Sequence, residues 1–125
     1  MRKQVEKLHL HQQSRLLEVW FKDGQHCSLP VEYLRVFSPS AEVRGHGTGK
    51  PEAAYKEWNL PLNKEQVNIN RIEAVGHYAV RLVFDDGHQS GVYSWDVLHE
   101  LAEQKNQYWA HYVERCQSAG IERNI

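Results

Sequence analysis

A chain of 125 residues has room for one domain and one core, and its 41% hydrophobic content is too high for a disordered polymer. Fifteen lysines and arginines face sixteen aspartates and glutamates, a formal charge of −1 without the basic excess that phosphate-backbone binding leaves in a sequence. No apolar run approaches the ~18 residues of a membrane span and no secretory leader is visible, so the expectation is a cytoplasmic protein that binds neither membrane nor nucleic acid.

In chain order, residues 1–14 read as a polar lead-in, a solvated tail with a helical turn or two through Val5 and Leu8. Leu17, Val19 and Phe21 then alternate with Glu18 and Trp20, the period of a strand. Lys22-Asp23-Gly24 supplies turn chemistry, and Cys27 and Leu29 lie on a short return strand. Pro30 suits the first turn of a helix that carries Val31 and Leu34 and ends by Ser38-Pro39. From Phe37 to Pro51 the glycines and prolines predict a long loop, a feature that compact domains usually keep for function.

A second β region opens at Val67, turns at Gly76-His77, and resumes with Val80, Leu82 and Phe84 in alternation. Asp85-Asp86-Gly87 turns the chain again and Val92-Tyr93 returns. A helix from about Ser94 places Trp95, Leu98, Leu101 and Ala102 on one face. The polar run from Glu103 to Gln107 interrupts it before a second stripe of Trp109, Tyr112, Val113 and Cys116, capped by Gly120. Phe21, Asp23, Gly24 and Leu29 are echoed by Phe84, Asp86, Gly87 and Val92, each 63 residues later. The expected fold is α+β: a small antiparallel β-sheet built from two hairpin-plus-helix units, with C-terminal helices packed on it, in one domain over 15–120.

Few residues suggest chemistry. The "GHGTGK" run at 45–50 is one residue short of a phosphate-binding loop, and Pro51 replaces the hydroxyl that would hold magnesium. The two cysteines, Cys27 and Cys116, form no C-x-x-C pair, which excludes a zinc ribbon and suggests free thiols in a reducing compartment. Neighbours on a strand point to opposite faces, so His26 cannot activate Cys27. Eight histidines raise the question of a metal, but no H-x-x-x-H or H-E-x-x-H spacing occurs. His9 and His11 belong to the tail, whereas His26, His46 and His88 sit on turns or loops that could converge.

Three stretches, "LPVEYLR", "FSPSAEVRGHG" and "FDDGHQSGVYSW", resemble the gamma-butyrobetaine hydroxylase-like N-terminal domain, also called the DUF971 family, over Leu16 to Leu101. The resemblance implies a domain that precedes the catalytic one in carnitine-biosynthesis dioxygenases, binds a structural zinc there and helps dimerisation. It also implies kinship with domains fused to P-loop iron–sulfur carrier ATPases. The zinc-binding relatives read approximately "LRDNCPCSDC", and aligned on Leu34-Arg35 their cysteines fall at Ser38, Ser40 and Val43, with His88 as fourth ligand. Three of four ligands are therefore absent, and neither that zinc nor the missing oxygenase activity carries over.

The resulting expectation is a module with no catalytic site and no cofactor. It would contact an unknown protein partner through Ser38, Arg44, His46, Lys50 and Trp58, with homodimer formation left open. The alternative is a metal-binding or iron–sulfur-related accessory protein that holds zinc or iron with His88, His46, His26 and Cys27.

Overall fold

The computed structural model describes residues 4–45 and 54–121. Two three-stranded antiparallel meanders, β1 (Val5–His11), β2 (Leu16–Phe21), β3 (His26–Pro30) and β4 (Ile69–Val75), β5 (Ala79–Phe84), β6 (Val92–Ser94), each lead into a helix. The first feeds α1 (Val31–Val36), followed by the one-turn α2 (Ala41–Arg44); the second feeds α3 (Trp95–Glu103), and α4 (Lys105–Ser118) closes the chain. The α+β class with two hairpin-plus-helix units and C-terminal helices is thus the observed architecture, each unit opening with an additional strand. None of the described helices is long and apolar enough to cross a membrane.

The repeat extends to backbone detail. Asp23 and Asp86 each accept the N–H of the residue two positions on, Gln25 and His88, at 3.0 Å. Gly24 and Gly87 follow with φ of 95° and 92°, and each returns its N–H to the carbonyl of Phe21 or Phe84. Both meanders also carry a register shift in the first strand, between Val5 and Lys7 and between Ile69 and Arg71. At positive φ a side chain is strained whatever the space around it, and nothing lies within 4 Å of either glycine's missing Cβ. Gly24→Ala and Gly87→Ala are each expected to cost about 1–2 kcal/mol, read as a lower urea midpoint at unchanged slope.

Burial follows the alternation. Leu17, Val19 and Phe21 face the core, as do Leu82 and Phe84, while Glu18 and Trp20 stay half-exposed. Helix α1 is buried along its whole length. The two units are tied together through tyrosine hydroxyls: Tyr33 donates to the Leu101 carbonyl and Tyr93 to the Leu34 carbonyl, both at 2.6 Å. Tyr112 of α4 donates to Glu32 of α1 at 2.8 Å. The helical break falls at Gln104, inside the polar run. Beyond α4, Gly120 at φ 73° donates to the Gln117 carbonyl and Ile121 to that of Cys116, a left-handed cap.

Three expectations are corrected. Residues 5–11 are a strand, not helical turns in a tail: Val5, Leu8 and Leu10 pack on the core, and β1 pairs with β2 along its length. His9 and His11 are accordingly sheet residues. The predicted loop from Phe37 holds α2, and Pro30 closes β3 one position before α1.

Candidate functional site

Sequence-distant polar groups meet where the end of α1, α2 and the β5–β6 turn come together. Arg35, in the last turn of α1, donates through Nε to Asp86 Oδ2 at 2.8 Å, and Lys64 Nζ donates to the same oxygen at 2.7 Å. The other oxygen holds the His88 N–H. Burial alone would raise the Asp86 pKa, but the bonds from Lys64, the His88 backbone and Arg35 outweigh it and bring the carboxyl to about 2.

His88 itself is 6% exposed. Its Nε2 lies 3.0 Å from Ser38 Oγ, which also accepts the Ser40 N–H at 3.2 Å. Its Nδ1 lies 3.7 Å from Glu42 Oε2, and the other Glu42 oxygen accepts the Ser90 hydroxyl at 3.2 Å. Burial, with Arg35 nearby, lowers the His88 pKa, so the ring is neutral at pH 7. These groups line an open recess of about 350 Å³ bounded by Arg35, Glu42, Asp86, His88, Gln89 and Ser90.

Serine, histidine and glutamate stand here in the order of a nucleophile, its base and an orienting carboxylate. Chemistry by that route is blocked. Ser38 is 0% exposed, and a Cβ on Gly91 would lie 2.5 Å from its oxygen, so the β6 approach seals the hydroxyl. A 3.7 Å separation is also beyond hydrogen-bond range for His88 and Glu42.

The four positions at which the resemblance implies zinc ligands do lie close by. Ser38 contacts His88, Ser40 Oγ is buried with no hydrogen-bond partner among the described residues, and Val43 is 3% exposed. Two neutral hydroxyls and an isopropyl group replace three thiolates, and the hydrogen bond between Ser38 and His88 occupies the imidazole nitrogen a metal would take. The set does not fit a zinc ion.

The sequence-derived candidates are scattered. His26 and Cys27 border a different recess of about 300 Å³, with Phe21, His99, Ala102 and Glu103, while His46 lies outside the described residues. His26 and Cys27 thus border a different recess from His88, and among the described residues no three His, Cys, Asp or Glu side chains are grouped to hold a metal ion. Burial raises the Cys27 pKa, which keeps it a thiol.

The contact-surface expectation needs correction. Ser38 is sealed, Trp58 is 8% exposed and the Arg44 side chain 7%. The Arg44 guanidinium lies 4.1 Å from the Trp58 ring centroid, and its N–H groups donate to the Phe37 carbonyl and to Glu100. These three residues are interior supports; Lys50, like His46, lies outside the described residues. Sequence reading missed Arg35, Glu42, Lys64 and Asp86 as a group. Its available signal was the Asp-Gly turn, where Asp86 has a hydrogen-bonding role that Asp23 repeats and ion pairs besides.

Residues 8–99 match the model of a family described as gamma-butyrobetaine hydroxylase-like, N-terminal. A protein solved by NMR is 46% identical, with 97% of this chain and 85% of that one covered and a TM-score of 0.77. A second NMR structure is 40% identical, covers 99% and 92% of the two chains and has a TM-score of 0.77. A crystal structure of a protein of unknown function, assigned to the DUF971 family and from Acidithiobacillus ferrooxidans ATCC 23270, is 34% identical over 79% of this chain and 92% of its own, with a TM-score of 0.60. No curated protein matches.

Proposed function

The chain belongs to the gamma-butyrobetaine hydroxylase-like N-terminal family, or DUF971, and from that premise we propose that it is a non-catalytic accessory module binding a protein partner through the polar shoulder of α2 and the β5–β6 turn. The observation that carries this reading is the contrast between floor and rim of the recess. Its floor is fixed by Asp86, which pairs with both Arg35 and Lys64. Its rim offers Glu42, whose side chain is 70% exposed, together with exposed Gln89 and Ser90. A rigid base with unsaturated polar groups above it suits recognition. The sealed Ser38 hydroxyl and the protonated Cys27 thiol supply no nucleophile.

Both cysteines are free, and Cys116 is buried in the core, which suits a reducing, cytoplasmic setting. Nucleic acid is a poor partner for a chain of net charge −1. No cofactor is part of this reading. The metal-binding alternative on His88, His46, His26 and Cys27 is not pursued, because His26 and Cys27 stand apart from His88.

Quantitative crosslinking of partners to the full chain tests the proposal. Glu42→Arg and Ser90→Arg, both on the rim, are expected to reduce capture of a saturable partner roughly tenfold while thermal stability is kept. A partner captured equally by both variants, or no saturable partner at all, counts against it.

A further inference from the structure

The His88 imidazole lines the recess with its side chain only 3% exposed, and the protons around it can be followed one by one. Tyr93 donates its hydroxyl proton to the Leu34 carbonyl, and the Ser38 hydroxyl bonds the Tyr93 oxygen. Ser38 Oγ then has only its two lone pairs to offer. One takes the Ser40 N–H and the other takes His88 Nε2, 3.0 Å away. The neutral ring therefore carries its proton on Nε2, and Nδ1 is a bare acceptor. The group facing it is a second acceptor, Glu42 Oε2, at 3.7 Å. Two acceptors so placed have hydrogen-bonding capacity that only a donor from outside can satisfy.

Charge points the same way. Arg35 and Lys64 are both engaged by Asp86, and among the described residues no lysine or arginine pairs with Glu42. One Glu42 oxygen accepts the Ser90 hydroxyl, and the side chain as a whole is 70% exposed. The recess of about 350 Å³ opens to solvent beside it.

We propose that the recess binds a primary ammonium group, presented by a lysine side chain of the protein partner, between Glu42 Oε2 and His88 Nδ1. This deepens the partner reading of the rim and rests on it. An ammonium has three N–H donors and no acceptor, so it gives a proton to each facing atom and offsets the Glu42 charge. A carboxylate or phosphate guest would instead meet Glu42 and a lone pair, with both nearby cations already held by Asp86.

The same geometry gives the site an acid limit. Arg35 from α1, Glu42 from α2, Asp86 from the β5–β6 turn and Lys64 from the segment before β4 all act on His88. Burial first, and Arg35 after it, hold the imidazole below its ordinary 6.5. Protonation of Nδ1 turns the acceptor into a donor beside Glu42, so an internal ion pair takes the place of the guest. Asp86, at about 2, stays ionised through this range.

Titration of the full chain with n-butylammonium chloride near neutral pH and at constant ionic strength, followed by ¹H–¹⁵N NMR, tests the site. Saturable shifts are expected at the amides of Glu42, His88 and Ser90. Tetramethylammonium chloride carries the charge without an N–H donor and is expected to bind roughly fivefold more weakly or worse. Glu42→Gln keeps an acceptor for Ser90 but sets an amide donor beside Nδ1, and is expected to weaken butylammonium binding about tenfold. Glu114→Gln on α4 is expected to match the parent. Binding should fall as the pH drops through the His88 pKa. Shifts that never saturate, equal binding of the two cations, or a Glu42→Gln protein that binds as the parent does would overturn the proposal. Butylammonium binding in a chain that captures no saturable partner removes the partner reading and the lysine that rests on it. Partner capture that falls in Glu42→Arg, with no butylammonium binding in the parent, removes the ammonium site alone.

Discussion

Asp86→Asn is expected to lower folding stability by about 2 kcal/mol near neutral pH and to remove a segment of the acid-unfolding curve. The carboxylate anchors Arg35 and Lys64 through one oxygen and the His88 N–H through the other. Asparagine can still accept the His88 N–H, so the turn survives, but Arg35, with its side chain 11% exposed, loses its counter-charge. The pKa falls from an ordinary 3.8 to about 2, which by linkage corresponds to roughly 2 kcal/mol. The Asp86 side chain keeps 19% exposure, so solvent screening keeps the effect below that of a fully buried pair. The sign follows from the depressed pKa: the stabilisation is complete above pH ~4 and is lost as pH falls through about 2. Urea midpoints measured from neutral pH to pH ~2 should converge for parent and variant at the acid end. Parallel curves with a constant gap would show that the ion pair is not what Asp86 contributes.

The parts of this fold that were legible in the sequence are those governed by local chemistry. Alternation at Leu17, Val19 and Phe21, the two Asp-Gly turns and the polar break before α4 each act within a few residues of themselves. Strand β1 was masked because its apolar positions are separated by His9 and Lys7 and its phase slips at the shift between Val5 and Lys7. Only the pairing with β2 makes it a strand. The candidate site was less legible still, because its geometry depends on long-range approach. Ser38 and His88 are 50 residues apart, and whether Ser38 is a loop hydroxyl or a sealed one is decided by Gly91. The same holds for Arg44, which looks like a surface cation until Trp58 and Glu100 are brought onto it.

Trp58→Ala is expected to destabilise the protein by about 3–5 kcal/mol, the largest effect of any single change considered, given a total near 5–15 kcal/mol for a domain of this size. The indole packs edge-on against Phe37 and Tyr108, with ring centroids 6.4 and 5.7 Å away, and carries the Arg44 guanidinium on its face. Removing it leaves a cavity against α4 and takes the aromatic support from a cation whose Nε has no hydrogen-bond partner among the described residues. Arg44→Met, by contrast, keeps an unbranched chain over the indole and gives up the bonds to Phe37 and Glu100, so a smaller loss of about 1–2 kcal/mol is expected. The pair separates support from recognition. Loss of partner capture in the Trp58 variant would follow its unfolding midpoint and recover on cooling towards maximal stability, whereas loss in the Glu42→Arg variant would persist at full folding. A Trp58→Ala protein that unfolds at the parent's urea midpoint yet captures no partner would put the indole back on the contact surface.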